Sequence, residues 1–273
     1  MNSTSFSNKR LALGRRLICV CMAAGAPVVH AQTVGTATLP EQTAGTDGGS
    51  YGGGIYEGPK YMGAQATRIL PIPMIEYSWS NGAFAGVLNG VGMNFGGDSS
   101  LQYGPRLTFD LGRKASLDPR LNGMGDIPTR PEVGGFFNVK LAQGLYVNSS
   151  VQYGEGANRR GAVENFGASY SRNFAERWVM GISTTFNFAN AGYMQSYFGV
   201  DSDQAGKSGL KLYTPTGGLR DMSNQAFVVY GFTRNLRLVT AINVSQLANA
   251  AKNSPLTQKR DAASVFSGLS YGF

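Results

Sequence analysis

The sequence predicts an all-β protein, a transmembrane antiparallel up-and-down β-barrel of ten to twelve strands. From residue 50 onward, short segments place apolar side chains at every second position, the period of a strand with one apolar and one polar face. These segments are about ten residues long, the length that a tilted strand needs to cross a bilayer. Their other faces carry mostly glycine, serine, threonine and asparagine, which are too polar for the packed core of a soluble sandwich.

The last segment, residues 262–273, is the clearest indication of a barrel. Leu269, Tyr271 and Phe273 alternate with glycine and serine, and the chain ends on the aromatic ring. Soluble chains tend to fray at their ends, whereas the closing strand of a bacterial outer-membrane barrel needs an aromatic residue at the interface. We expect these three side chains to face lipid, on the strand that the barrel-assembly machinery receives.

The first 31 residues have the features of a secretory signal peptide. Four basic residues between positions 9 and 16 precede an apolar run that is too short to span a bilayer, and small residues end the segment at Ala31. We therefore predict a cleaved signal peptide over 1–31, a flexible leader over 32–49 and the barrel over 50–273. Export through the periplasm and integration into the outer membrane follow from this organisation.

The composition excludes most catalytic classes. The single histidine and both cysteines lie within the first 31 residues, so the cleaved chain has neither. It therefore lacks the side chains of Ser-His-Asp and Cys-His mechanisms and the usual nitrogen and sulfur ligands of metals. We predict that the protein is not an enzyme and has no metal site and no cofactor.

The charge of the chain is mildly basic once the signal peptide is removed. Four of the 24 basic residues lie in that segment, which leaves 20 basic against 16 acidic residues. No run of lysine and arginine is interleaved with aromatic residues, so we expect no nucleic acid as a partner. Outer-membrane lipid and lipopolysaccharide are the expected surroundings.

Eleven segments show the strand pattern. In 101–112 and 178–188 the apolar faces are continuous, and aromatic residues near the segment ends match the girdles of membrane barrels. Because closed bacterial barrels have an even number of strands, either 50–57 does not span, which gives ten, or one strand is missed, which gives twelve; twelve is favoured. The other segments are 67–79, 84–95, 132–142, 145–153, 162–173, 222–232, 236–244 and 262–273.

The connections alternate in length when the C-terminus is placed in the periplasm. Short turns then fall on the periplasmic side and long connections outside, which is the asymmetry of outer-membrane barrels. The short turns lie near 96–100, 143–144, 174–176 and 233–235, and the long connections near 113–131, 154–161, 190–221 and 248–261.

Four charged residues are predicted to project into the lumen: Arg106, Asp110, Glu132 and Lys140. One hypothesis is a charge ladder that sets conductance and selectivity. The other, which we favour, is that these charges pair across a small barrel and fill it, because narrow barrels are packed by their side chains.

Three stretches carry a family resemblance. Gly54-Ile55-Tyr56 leads through Pro59 and Tyr61 into Leu-Pro-Ile-Pro-Met-Ile-Glu-Tyr at 70–77. The central stretch contains Tyr-Phe-Gly-Val at 197–200 and Ser-Gly-Leu at 208–210, and Ser-Pro at 254–255 precedes the last strand. In this order and spacing the chain resembles the MltA-interacting protein (MipA)/OmpV family of outer-membrane proteins, from about residue 50 to its end.

The resemblance implies a non-enzymatic barrel that acts as a scaffold. The family's namesake brings a lytic transglycosylase together with a penicillin-binding protein in peptidoglycan growth, so these two enzymes are the implied partners. A porin-like channel for small solutes is the alternative, because the inner faces are polar. A hydrolase acting on lipid or glycan ranks last.

The connection 190–221 is the candidate functional loop. Asp201 or Ser202 is positioned to cap a short helix that ends at Gly209. The loop is too long to be a mere connection. It either folds over the barrel mouth as a plug, which we favour, or contacts a partner through its aromatic residues. The residues singled out are Tyr193, Tyr197, Phe198, Gly199, Ser208, Gly209, Leu210 and Tyr213.

Overall fold

The chain forms a closed antiparallel barrel of twelve strands. The computed structural model describes residues 47–96, 100–156 and 159–273, so the predicted signal peptide and most of the predicted leader lie outside the described residues. The strands are β1 (Gly48–Pro59), β2 (Thr67–Ser78), β3 (Ala83–Gly86), β4 (Gly90–Met93), β5 (Leu101–Asp110), β6 (Arg130–Ala142), β7 (Leu145–Gly156), β8 (Arg159–Ala175), β9 (Trp178–Ala189), β10 (Gly218–Gly231), β11 (Leu236–Leu247) and β12 (Asp261–Gly272). The prediction of an up-and-down barrel is confirmed.

Each strand pairs with its neighbours in the sequence, and β12 pairs with β1 to close the wall. Tyr56 of β1 stands opposite Phe266 of β12, and Tyr51 stands opposite Tyr271. The terminal segment therefore joins the two ends of the sheet and leaves no free edge between them.

The outer surface carries an apolar belt between two girdles of aromatic residues. On β9 the outward residues run from Trp178 to Phe188 and include Ile182, which is 60% exposed. Ten residues of a strand tilted by about 40° rise about 25 Å, the height of the apolar band of an outer-membrane barrel. At one end of the belt the rings touch one another, with centroids of Trp178 and Tyr230 4.6 Å apart.

The strand that the sequence reading missed lies inside 84–95. That segment is two strands, β3 and β4, of four residues each, joined by a turn at 87–89. Gly90 has a φ of 75°, a conformation that favours glycine, where the chain leaves the turn. The first segment spans as β1 and begins at Gly48, so the count is twelve and not ten.

The connections are short at one end of the barrel and mostly long at the other. The short end has connections 79–82, 94–100, 143–144, 176–177 and 232–235, and the other end has 60–66, 87–89, 111–129, 157–158, 190–217 and 248–260. The expectation of a long connection at 154–161 is wrong, because β7 runs to Gly156 and β8 starts at Arg159. Bacterial outer-membrane barrels place their short turns in the periplasm, which makes the other end extracellular.

The lumen has two unlike sides. The inner faces of β5 to β9 are polar, as expected, with Asn138, Asn148, Asn165 and Asn187 among them. The expected polar inner face is wrong for the opposite side, where apolar residues of β1, β2, β10, β11 and β12 form a buried cluster. We call this the lumen core: Tyr56, Leu70, Ile72, Met74, Phe227, Val229, Val239, Ala241 and Phe266.

Three short helices lie at the extracellular end: α1 (Ala191–Phe198), α2 (Ser202–Ser208) and α3 (Asn249–Lys252). Among the described residues, no helix is both long and apolar enough to cross a membrane. The helices belong to the two loops 190–217 and 248–260, and these loops determine what lies across the extracellular mouth.

Candidate functional site

Helix α1 lies across the extracellular mouth of the barrel. Asn190 caps it, because its side chain accepts a hydrogen bond from the Tyr193 backbone N–H at 2.9 Å. Four of its side chains are buried, at spacings of one and four residues that define one helix face. They are Tyr193, Met194, Tyr197 and Phe198, and they pack with Val163, Ala189, Leu247 and Ala251 at the ends of β8, β9 and β11 and in α3.

Asp110 holds this helix from the wall. It ends β5, is 1% exposed, and accepts a hydrogen bond of 2.6 Å from the Tyr197 hydroxyl. Arg113, three residues further on, donates to the Tyr197 backbone oxygen at 2.8 Å. Burial lowers the pKa of this guanidinium, while Tyr197 and other neighbours oppose the shift. Tyr197 of α1 is therefore held at its hydroxyl by Asp110 and at its backbone carbonyl by Arg113.

A second anchor joins α1 to β10. Arg220 and Asp221 form a buried ion pair with 2.5 Å between Nε and Oδ2. Arg220 also donates to the Tyr193 hydroxyl at 3.0 Å and lies 5.2 Å from the centre of that ring. Asn187 of β9 donates to the other carboxylate oxygen of Asp221 at 2.5 Å. Because both charges are paired and hydrogen-bonded, their burial is tolerated.

The second half of the loop folds on itself. Asp201 and Gln204 form a capping box at the start of α2, and Gly209 ends the helix with a φ of 71°. Val200 and Tyr213 then pair through two backbone hydrogen bonds of 2.9 Å. The α2 segment is more exposed than α1: none of its side chains is buried, and an exposed ion pair joins Lys207 to Asp203.

The remaining extracellular loops pack over α1 and α2. Ser254 donates to the Phe198 carbonyl at 2.6 Å, and the Tyr213 hydroxyl donates to the Ala250 carbonyl at 2.7 Å. Tyr61 donates to the Leu256 carbonyl at 2.9 Å, and burial, assisted by Asp118, raises its pKa to about 12. These contacts continue into an apolar cluster of loop residues, which we call the loop core: Tyr61, Ala64, Leu121, Met124, Val200 and Leu256.

The residues singled out in 190–221 fall into two groups. Tyr193, Tyr197 and Phe198 lie on the buried face of α1, with the two tyrosine rings stacked at 4.6 Å. Gly199 follows α1, where a side chain would collide with Gln195. The others lie in the outer half of the loop, where Ser208, Gly209 and Leu210 close α2 and Tyr213 faces Ala250.

The four charged residues Arg106, Asp110, Glu132 and Lys140 lie on the inner faces of β5 and β6. They do not form one cluster. Asp110 holds α1 at the extracellular end, whereas Lys140 lies 5.7 Å from the centre of the Tyr146 ring near the other end. Glu132 and Lys140 are eight residues apart on β6, which corresponds to about 26 Å along the strand.

The residues of the terminal strand, Leu269, Tyr271 and Phe273, face outward and are 47%, 41% and 64% exposed. Tyr51 of β1 contacts both aromatic rings, with centroids 5.6 and 6.0 Å away. Tyr51, Tyr271 and Phe273 belong to the girdle of aromatic residues at the periplasmic end of the apolar belt.

Sequence reasoning missed the partners of α1. Arg113, Arg220, Asp221 and Ser254 each hold the helix or its anchors, and none stands in a motif that indicates this role. One available signal was the adjacent pair Arg220-Asp221, next to the extracellular end of the predicted strand 222–232. Opposite charges in the interior of a membrane protein are expected to pair.

The contacts of this site hold α1 in place. The described residues contain no group of three or more metal-ligating side chains. The charged groups beneath α1 are engaged with tyrosine hydroxyls, backbone carbonyls and each other. What the arrangement does is fix one amphipathic helix across the mouth of the barrel.

A closed antiparallel wall, an apolar belt and aromatic rings at its ends define an outer-membrane β-barrel protein. The sequence pattern of the family described as MltA-interacting protein MipA matches residues 51–273. The chain belongs to this family, as the resemblance of its motifs indicated.

Three solved structures match the chain at low identity and with TM-scores below 0.5. The NanC porin superposes with a TM-score of 0.45 at 12% identity, over 83% of this chain and 99% of the porin. The KdgM porin gives 0.44 at 10%, over 83% and 99%. An outer membrane channel from Pseudomonas putida F1 gives 0.44 at 8%, over 86% and 99%. No curated protein sequence is significantly similar to the chain.

Proposed function

We propose that the protein is a non-enzymatic scaffold of the outer membrane that links a lytic transglycosylase and a penicillin-binding protein during peptidoglycan growth. The observation that carries this proposal is membership of a family whose description is an interaction with the transglycosylase MltA. The covered mouth supports it, because α1 and the loop core occupy the route that a solute would take through the barrel.

The scaffold role requires a surface that faces the periplasm. The periplasmic turns include Gln143, Glu176 and Arg234, which are exposed and lie between strands. A photo-reactive amino acid at each of these positions places a crosslinker where a periplasmic enzyme would bind. Lys207 in α2 is exposed at the opposite end and serves as the matched control.

Crosslinking in living cells, followed by mass spectrometry of the adducts, tests the proposal. We expect a lytic transglycosylase or a penicillin-binding protein on at least one of the three periplasmic positions and neither on position 207. Repeated recovery of neither enzyme, from cells in which both are produced, would reject the scaffold.

A small-solute channel is the second candidate, and one observation favours it. Side chains on the inner faces of β5 to β7, including Arg106 and Asn138, are only half-buried, so this side of the lumen is in contact with water. Planar-bilayer recordings of the refolded protein separate the two functions. Discrete conductance steps would support the channel, and their absence over many insertions would exclude it.

We propose two further partners, the barrel-assembly machinery and lipopolysaccharide. Leu269, Tyr271 and Phe273 form the end of the closing strand, which we propose as the segment that the barrel-assembly machinery binds. Lysines in the extracellular loops, such as Lys60, Lys114 and Lys211, are suited to the phosphates of lipopolysaccharide. Replacing Phe273 by serine should lower the amount of assembled barrel in the outer membrane, measured by heat-modifiable migration on gels.

A further inference from the structure

The wall of the barrel has a gap between β2 and β5. The hairpin β3–β4 lies between them. β3 pairs with Glu76–Ser78 of β2, and β4 pairs with Arg106 and Leu107 of β5, followed by a hydrogen bond of 2.8 Å from the Phe95 N–H to the Tyr103 carbonyl. Above the turn at 87–89, in the described part of the chain, no strand pairs with this edge of β2. Two strands are missing there, so β2 and β5 are about 14 Å apart at the top of the hairpin, three strand spacings of about 4.8 Å.

Two prolines lie on the unpaired edge of β2. The Val87 backbone N–H donates to the Ile75 carbonyl at 2.9 Å, so residue 75 turns its backbone groups toward the hairpin. Alternate residues of a strand turn their backbone groups to the same side, which gives Pro71 and Pro73 that direction as well. Proline has no N–H, so the edge lacks donors at the positions where a neighbouring strand would need them.

Apolar side chains line most of the gap, and at its floor the buried Glu76 accepts hydrogen bonds from the Leu88 backbone N–H at 3.0 Å and from the Asn89 side chain at 3.1 Å. Its outer rim carries Ile69, Ile75 and Val87, which are 66%, 54% and 47% exposed. Behind it lie Leu70, Ile72 and Met74 of the lumen core, together with Leu88 of the turn, which packs against that cluster. The gap is therefore a closed-backed apolar groove in the lipid-facing belt and not a passage into the polar side of the lumen.

The groove opens toward the extracellular half of the membrane. It starts at Ile75, close to the periplasmic aromatic residues Tyr77 and Trp79, whose rings are 4.7 Å apart, and it rises toward Thr67. Above it lies the loop core, in which Leu121 and Met124 of the connection 111–129 pack with Tyr61.

We infer that this groove binds an acyl chain of a lipopolysaccharide molecule. Apolar side chains line the β2 side of the groove, so an aliphatic chain packs there without burying a polar group of its own. Lys60 follows the upper end of β1 and Lys114 follows that of β5, which places a cation beside each side of the groove's extracellular end, where lipid phosphates lie.

The same edge disfavours a peptide strand or a second copy of this chain as the occupant. A strand added to a sheet edge is held by backbone hydrogen bonds in both directions. Pro71 and Pro73 remove two of the donors on the β2 side, so such a strand would leave carbonyl groups unpaired in hydrocarbon. An acyl chain requires no such bonds.

Native mass spectrometry of the full barrel, purified in mild detergent and refolded with purified lipopolysaccharide, tests the inference. The test variant is Val87→Trp, which places a ring at the outer rim of the groove. Its matched control is Val133→Trp, an outward valine of β6 that is 61% exposed in a continuous part of the wall. Ile75→Trp, with Ile182→Trp as its control on β9, repeats the comparison if the first variant assembles poorly.

We expect one lipopolysaccharide retained per barrel for the unchanged protein and for both controls. Retention by Val87→Trp and Ile75→Trp should require about tenfold more lipopolysaccharide, the change produced by losing roughly two buried methylene groups. Equal losses in test and control variants would overturn the inference, as would an unchanged protein that retains none. Retention of phospholipid alone would overturn the assignment to lipopolysaccharide.

Discussion

The two sides of the barrel interior are stabilised in different ways. The lumen core on β1, β2 and β10 to β12 is a dry apolar cluster that resembles the interior of a soluble domain. The inner faces of β5 to β9 instead carry hydrogen-bonded amides and hydroxyls, as between Asn148 and Asn138 at 3.2 Å and between Ser169 and Asn148 at 3.1 Å.

The same lumen therefore has one side that contacts water and an opposite side that is filled by a packed apolar core. Helix α1 spans the two sides, since Arg220 and Asp110 hold it from β10 and β5. We therefore expect mutations to be costly on the apolar side and at the anchors of α1, and mild on the polar side.

The largest effect is expected for Phe227→Ala in the lumen core. Phe227 is 6% exposed, and its ring lies against Gly181 of β9, where a side chain would come within 2.4 Å of it. Truncating such a ring should lower the free energy of unfolding by about 3–5 kcal/mol, because a cavity remains. Urea titration of the refolded barrel measures it. Asn148→Ala on the polar side should cost only about 1 kcal/mol; equal costs would contradict the division of the lumen.

Arg220→Met tests the anchor that joins α1 to β10. The change leaves Asp221 buried without its cation, which should cost about 3–5 kcal/mol. The double variant Arg220→Met with Asp221→Leu should recover most of this loss, because it removes the uncompensated charge. As a control, Lys207→Met breaks an exposed ion pair and should leave the urea midpoint unchanged.

A smaller effect is expected for Tyr197→Phe, which removes the hydrogen bond to Asp110 and keeps the ring. Hydrogen bonds to charged groups contribute about 1.5–3 kcal/mol. Because the bond holds α1, the loop 190–217 should also become easier to cleave in limited proteolysis. Tyr213→Phe, which removes a bond to a neutral carbonyl, should have the weaker effect on both measurements; the reverse order would show that Asp110 is not the main anchor.

The smallest effect is a pH dependence at the top of the apolar side. Burial raises the pKa of Tyr61 from 10 to about 12, so the folded protein retains the hydroxyl proton when the unfolded chain has lost it. The corresponding stability is fully present below pH 10 and decreases as the pH rises toward 12. Urea midpoints between pH 9 and pH 12 should therefore fall more for the unchanged protein than for Tyr61→Phe. Parallel curves would show that Tyr61 does not contribute.

The long strands were predictable from the sequence, and the short hairpin was not. β5 and β9 alternate over ten and twelve residues, enough to establish a period of two. β3 and β4 have four residues each, too few for a pattern, so they were read as one segment. The lumen core was missed because β2 is apolar on both faces between Ile69 and Ile75, which hides the direction of each side chain.

The site was predictable only in part. The capping residues of α2 are local signals, and they predicted the short helix that ends at Gly209. The anchors of α1 are not local: Asp110 is 87 positions from Tyr197, and Ser254 is 56 from Phe198. Contacts at such separations depend on how the strands register around the barrel, and no short motif encodes them.

The hydrogen bond between Tyr197 and Asp110 joins parts of the chain that are far apart in the sequence. Its partners come together only after the five strands β5 to β9 have paired in register, and the Arg220 anchor requires β10 as well. Closing a connection across so many residues is entropically costly until the sheet has brought its ends together. The anchors of α1 therefore depend on the pairing of all the strands that lie between their partners in the sequence.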